Sequence, residues 1–195
     1  MKKYSILALT CLGLFSCNNS ETKTDSSQTM DSSTSAKIDT SAGSTSATTV
    51  MPVDSATARF LVKATQGGLA EVASGNVAQG RTTNEGVKMF ASMMVNDHSN
   101  VNGQIQTLAQ QRMVSLPTET SEENKKMMAD TEKKTGKDFD RAYMDMMVAA
   151  HKKTISMFEK ASGEIADSAV KDLITQTLPK VKTHLDSAQA IRRRL

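Results

Sequence analysis

Only three histidines occur in the chain, His98, His151 and His184. Each falls in a different stretch of helical periodicity, and each lies on or beside that stretch's apolar stripe. A fourth polar residue, Glu71, points along the apolar face of another helical stretch. Imidazole and carboxylate gathered inside a helical bundle are the donor set of a transition-metal site. The His residues also carry an internal repeat. Met93-Met94-Val95-Asn96-Asp97-His98 and Met146-Met147-Val148-Ala149-Ala150-His151 share the pattern MMVxxH. In each copy the second Met stands four residues before the His, on the same side of a helix. Thioether beside imidazole suits copper better than zinc or iron, so Met94 and Met147 are candidate soft ligands. His98 and His184 are the expected primary ligands, with His151 a third. Glu71 is expected as a ligand or as an acceptor that orients one.

A second reading competes with this one. Buried His, Glu and Thr can form a hydrogen-bonded network that fixes helix register and holds no ligand. Met at helical spacing is ordinarily adaptable core filling. A ferritin-type di-iron centre is disfavoured. It needs Glu three residues before His on two helices, and here those positions are Val95, Val148 and Val181. No catalytic residues emerge, because nucleophile elbows, phosphate loops and Cys-based zinc patterns are missing.

Four long amphipathic stretches must position these residues: about 54–80, 84–113, 138–163, and a last one capped by Asp167. Phe60, Ala64, Gly68 and Glu71 share a face of the first. Val87, Phe90, Met94, His98 and Ile105 follow steps of three and four in the second. Phe139, Tyr143, Met147 and Phe158 mark the third, and Leu173, Thr177, Val181 and His184 the fourth. A shorter helix is expected over 121–135, closed by Gly136 as a C′ residue. Thr82 with Glu85, and Thr120 with Glu123, read as capping boxes. Pro179 should kink the last helix. The four helix midpoints fall near residues 67, 98, 150 and 181. Glu71 and the three His lie within about 6 Å of those heights at 1.5 Å per residue. The sequence therefore predicts an all-α, ferritin-like four-helix bundle over 54–195, with a short additional helix in the crossover.

The remainder reads as an address and a tether. Lys2-Lys3 and an apolar run from Ile6 to Phe15 form a signal peptide over 1–17. Leu14-Phe15-Ser16-Cys17 resembles a bacterial lipobox, which implies lipidation at Cys17 and a membrane-attached protein of the bacterial cell envelope. Residues 18–53 contain nine Ser and eight Thr and no aromatic residue. Such a segment buries too little surface to offset its ordering entropy, so a disordered tether is expected. The +3 net charge, from 24 basic and 21 acidic residues, is too even for a nucleic-acid binder. An aromatic content of 4% without Trp leaves few rings to stack on bases. The terminal Arg192-Arg193-Arg194 complements a helix C-terminus, with anionic lipid or another envelope polymer as the alternative partner.

The domain resembles the domain-of-unknown-function 4142 family, described as predicted outer-membrane proteins with a ferritin-like fold. The resemblance lies in Phe60-Leu61-Val62-Lys63-Ala64, Gly67-Gly68-Leu69-Ala70-Glu71-Val72, and Phe90-Ala91 leading to Asp97-His98-Ser99. It continues in Leu116-Pro117, Asp138-Phe139-Asp140 with Tyr143-Met144, His151 with Phe158-Glu159, and Leu178-Pro179 with His184-Leu185. It implies the fold and an outer-membrane address, and no activity. Two functions remain: binding of a metal ion or small ligand at the mid-bundle site, or a non-enzymatic interaction or stress-protection module with structural histidines.

Overall fold

The computed structural model describes residues 53–195. The expected signal peptide, the lipobox-like stretch ending at Cys17 and nearly all of the expected tether lie outside the described residues. Five helices, and no strands, form among the described residues. They are α1 Ser55–Arg81, α2 Glu85–Gln111, α3 Glu122–Glu132, α4 Gly136–Glu164 and α5 Ser168–Arg192. This is the all-α, ferritin-like bundle of four long helices, with α3 as the additional short helix in the crossover.

Three of the four long helices begin where a side chain satisfies free N–H groups, and α4 starts at Thr135 without a side-chain cap. The Asp54 carboxylate accepts from the backbone N–H of Ala56 and Thr57, both at 2.9 Å. Asp167 accepts from Val170 at 3.2 Å, as the sequence reading expected. The two capping boxes are not formed. Asn84 caps α2 by accepting from Val87, while Thr82 closes α1 and accepts from the Asn84 N–H. Asn and Ser cap as well as Thr does, and a one- or two-residue shift carried the cap to a better-placed side chain. At α3, Ser121 is the cap. Thr120 instead donates to the Gln66 carbonyl at 2.7 Å, which ties the crossover to α1. Gly136 does adopt the left-handed conformation, with φ of 52°. It stands at the first position of α4, however, since α3 already ends at Glu132. The α5 assignment is unbroken across Pro179.

The short connections at 82–84 and 165–167 make α1–α2 and α4–α5 antiparallel hairpins. The crossover carries the chain back along the bundle. Two apolar clusters show the resulting directions. One holds Phe60 and Val170, near the starts of α1 and α5, with Ile105 and Phe158, toward the ends of α2 and α4. The other gathers Ala78 and Ala188 from the opposite ends with Val87 and Phe139. Thus α2 and α4 run parallel, as a ferritin-like topology requires. Phe60 and Phe158 meet edge to face at 5.0 Å, worth about 1 kcal/mol beyond their burial. Gly75 lets α1 and α2 approach. A Cβ there would stand 2.9 Å from Val95 Cγ2 and 3.0 Å from the Ala91 carbonyl oxygen.

Candidate metal centre

Between the two apolar clusters lies a layer of buried polar side chains. Glu71 comes from α1, His98 from α2, His151 from α4 and His184 from α5. They are 3%, 6%, 0% and 4% exposed, so all four side chains are buried. The helical arithmetic that set them at one height holds. His151, which the periodicity put at the edge of its stripe, is the most deeply buried of the four. The three imidazoles form a near-equilateral triangle, with ring centroids 5.6, 5.5 and 5.5 Å apart.

Each ring is held by one nitrogen. His98 Nδ1 meets Glu71 Oε2 at 2.9 Å. His151 Nδ1 lies 2.9 Å from the Met147 carbonyl oxygen of its own helix and 3.5 Å from Glu71 Oε1. His184 Nε2 meets Asp97 Oδ2 at 2.9 Å, across from α5 to α2. The other nitrogen of each ring, His98 Nε2, His151 Nε2 and His184 Nδ1, is buried without a hydrogen-bond partner. One donor atom from each of the three His lies within 4.8 Å of those of the other two.

The electrostatics separate the rings. Burial alone would push the Glu71 carboxyl up. The adjoining His98, by charge and hydrogen bond, outweighs that and holds it below its usual value. Burial would lower His98, yet Glu71 raises it above its ordinary value. His151 and His184 are both lowered, chiefly by burial. The layer thus pairs the Glu71 carboxylate with one ring whose protonated form is favoured, beside two rings that favour the neutral, metal-binding form.

The arrangement fits a transition metal. A metal-ligating His ordinarily donates its second ring N–H to a carboxylate or carbonyl. All three rings have such an acceptor, and all three have a free nitrogen left. Tetrahedral metal–nitrogen bonds of about 2.0–2.1 Å put ligand nitrogens about 3.3 Å apart, so the rings would close inward by rotamer adjustment. Three nitrogens leave a fourth position open.

Met94 and Met147 are 0% and 2% exposed and pack in the apolar cluster with Phe90, Phe139 and Tyr143. Asp97 was not singled out from the sequence as a site residue. Its only signal was its place beside His98, which on a helix turns it toward the next neighbour, α5. Tyr143 was read as core. Its buried hydroxyl has no partner, and burial with the nearby Glu71 charge raises its pKa.

The model of a family described as Domain of unknown function (DUF4142) matches residues 41–191. The chain belongs to the DUF4142 family. No curated protein matches it. This DUF4142 chain is similar in fold to a solved structure titled "Crystal structure of DUF305 fragment from Deinococcus radiodurans". The TM-score is 0.67 at 14% identity, over 74% of this chain and 100% of that one. At that identity the likeness concerns the fold alone.

Proposed function

We propose that this DUF4142 chain is a lipid-anchored envelope protein whose bundle binds one transition-metal ion through His98, His151 and His184. The supporting observation is that each ring has one nitrogen fixed by an acceptor and one buried nitrogen without a partner. Glu71 and Asp97 orient His98 and His184 and supply negative charge near the cation. Copper is favoured over zinc and iron by the general affinity order of divalent ions and by the thioethers of Met94 and Met147, optional soft ligands for the reduced ion. The proposed role is binding and sequestration, without a catalysed reaction. The anchor would be the lipidated Cys17, with residues 18–53 as the tether to an outer-membrane site. Several acyl chains hold firmly where one does not.

Calorimetric titration of the metal-free protein with cuprous, cupric, zinc and ferrous ions tests the site. Saturable one-to-one binding is expected, tightest for copper. Binding no tighter than millimolar for every ion would leave the second reading, a structural polar layer in an interaction module. The buried contact of Glu71 Oε2 with His98, a tie between α1 and α2 that needs no ion, favours that reading. Membrane fractionation of native protein and a Cys17→Ser variant tests the anchor, with release or lack of processing expected for the variant.

A further inference from the structure

A cavity of about 410 Å³ opens beside the polar layer, walled mainly by α1 and α4, roofed by α3 and reached by residues of α2 and α5. Pockets of this size hold small organic molecules. Its floor includes Glu71 and His98, but neither His151 nor His184. It therefore meets the polar layer at Glu71 and His98 and does not reach the other two imidazoles.

Three features make it a built site. Its walls are soft and apolar: Met127 and Met128 come from α3, and Met146, Met147 and Met157 from α4. Thioether side chains adapt to the shape of an apolar guest. Two buried acceptor atoms without hydrogen-bond partners, Glu71 Oε1 and Asn102 Oδ1, belong to residues lining it. Buried acceptors left unpaired are costly, and a guest that donates to them recovers that cost. The Gly67-Gly68 pair shapes the space. A Cβ on Gly68 would fall 2.1 Å from Asn102 Oδ1, so glycine is what seats that carboxamide. A Cβ on Gly67 would meet nothing within 4 Å, because Gly67 faces the cavity. Polar ties hold the roof. Thr120 and Asn124 both donate to the Gln66 carbonyl, and Lys153 pairs with Glu123 at 2.8 Å across α4 and α3.

The geometry points to a second binding site in this cavity, for a small aromatic alcohol whose apolar body lies among the methionines and whose hydroxyl donates to Glu71 or Asn102. This site stands on the cavity and its acceptors and does not depend on a bound metal.

The probe is 1-naphthol, titrated into metal-free, chelator-treated protein and followed by its fluorescence. Saturable one-to-one binding is expected. 1-Methylnaphthalene, of the same shape without the donor, should bind at least tenfold more weakly. Gly67→Leu should fill the cavity and weaken 1-naphthol at least tenfold without lowering the melting temperature. Met128→Trp fills it from the roof and should do the same, which guards against a backbone effect at one position. Unsaturable binding, or unchanged affinity in both variants, overturns the site. Equal affinity for the two probes overturns the role given to the acceptors. Protein that binds 1-naphthol but no metal retires the metal reading and leaves this one, and the reverse outcome does the opposite.

Discussion

His184 Nε2 and Asp97 Oδ2 lie 2.9 Å apart, and this contact decides which face of the His184 ring looks into the bundle. With Nε2 turned to the carboxylate on α2, Nδ1 is left to the polar layer, where it has no partner. Asp97 is partly exposed, so the pair also connects the buried layer to the surface.

Asp97→Asn therefore keeps the side chain's shape and removes the charge that orients His184. Loss of such an orienting partner commonly lowers metal affinity about 10- to 100-fold. We expect a fall of that order by calorimetry, with an unchanged circular dichroism spectrum.

Saturating metal should raise the melting temperature if it binds only the folded state. At one hundred times Kd the gain is about 2.7 kcal/mol. His98→Ala and His184→Ala should each abolish the metal-dependent rise, measured by differential scanning calorimetry with and without ion. A purely structural layer would show lower baseline stability in both variants and no metal-dependent rise in the native protein.

Proton competition gives the site a definite pH dependence. His151 and His184 have lowered folded values, so their burial favours folding above the usual 6.5. That contribution is lost as pH falls through the folded values. His98 is raised, so its pairing with Glu71 stabilises the metal-free domain fully below 6.5 and is lost as pH rises through its folded value. Metal must displace the His98 proton in the window between. Proton release on binding should therefore be larger toward the ordinary histidine range and fall away as pH rises past the folded value of His98. Calorimetry in buffers of different ionisation enthalpy counts that proton.

Two glycines of α1 should respond in opposite directions to the same change. Gly67→Ala meets nothing within 4 Å and should stabilise by about 0.5–1 kcal/mol through helix propensity. Gly75→Ala gains the same propensity, but its Cβ would press on the Ala91 carbonyl oxygen at 3.0 Å. Overpacking of this kind costs about 1–3 kcal/mol, so net destabilisation is expected. Urea denaturation of both variants checks the contrast.

Asp167 both caps α5 and pairs with Arg112, whose Nη2 reaches Oδ1 at 2.6 Å. Asp167→Ala should lose at least the cap's contribution of about 1 kcal/mol. The Arg112 hydrogen bond holds the Asp167 carboxyl below its usual 3.8. The pair's contribution is thus present above that value and lost as pH falls through the lowered one. Acid unfolding monitored by circular dichroism should begin at higher pH in the variant.

The fold was legible because the apolar periodicity is long and uninterrupted in four stretches, and because chemistry-bearing residues shared one height along them. The gathering of Glu71 with three His followed from that arithmetic. Helix ends were less legible. Thr82, Asn84, Thr120 and Ser121 all carry capping oxygens, and only three-dimensional competition chose Asn84 and Ser121. The Asp97 contact lies across two helices remote in sequence, so periodicity within either helix carried no trace of it. His151 looked peripheral because it falls at the edge of the stripe that runs through Met147, Ala150 and Thr154. The packing of Phe90 near its ring, at 6.3 Å between centroids, shows how fully that edge is covered.

The polar layer divides its members between the two hairpins. Glu71, Asp97 and His98 belong to α1–α2, while His151 and His184 belong to α4–α5. Neither hairpin alone brings three imidazoles together, whatever its helicity. If the three histidines bind an ion as proposed, its capture by all three must wait until the hairpins dock, and the rate of metal uptake by a refolding chain would be a clock for that docking event, distinct from the earlier appearance of helical signal.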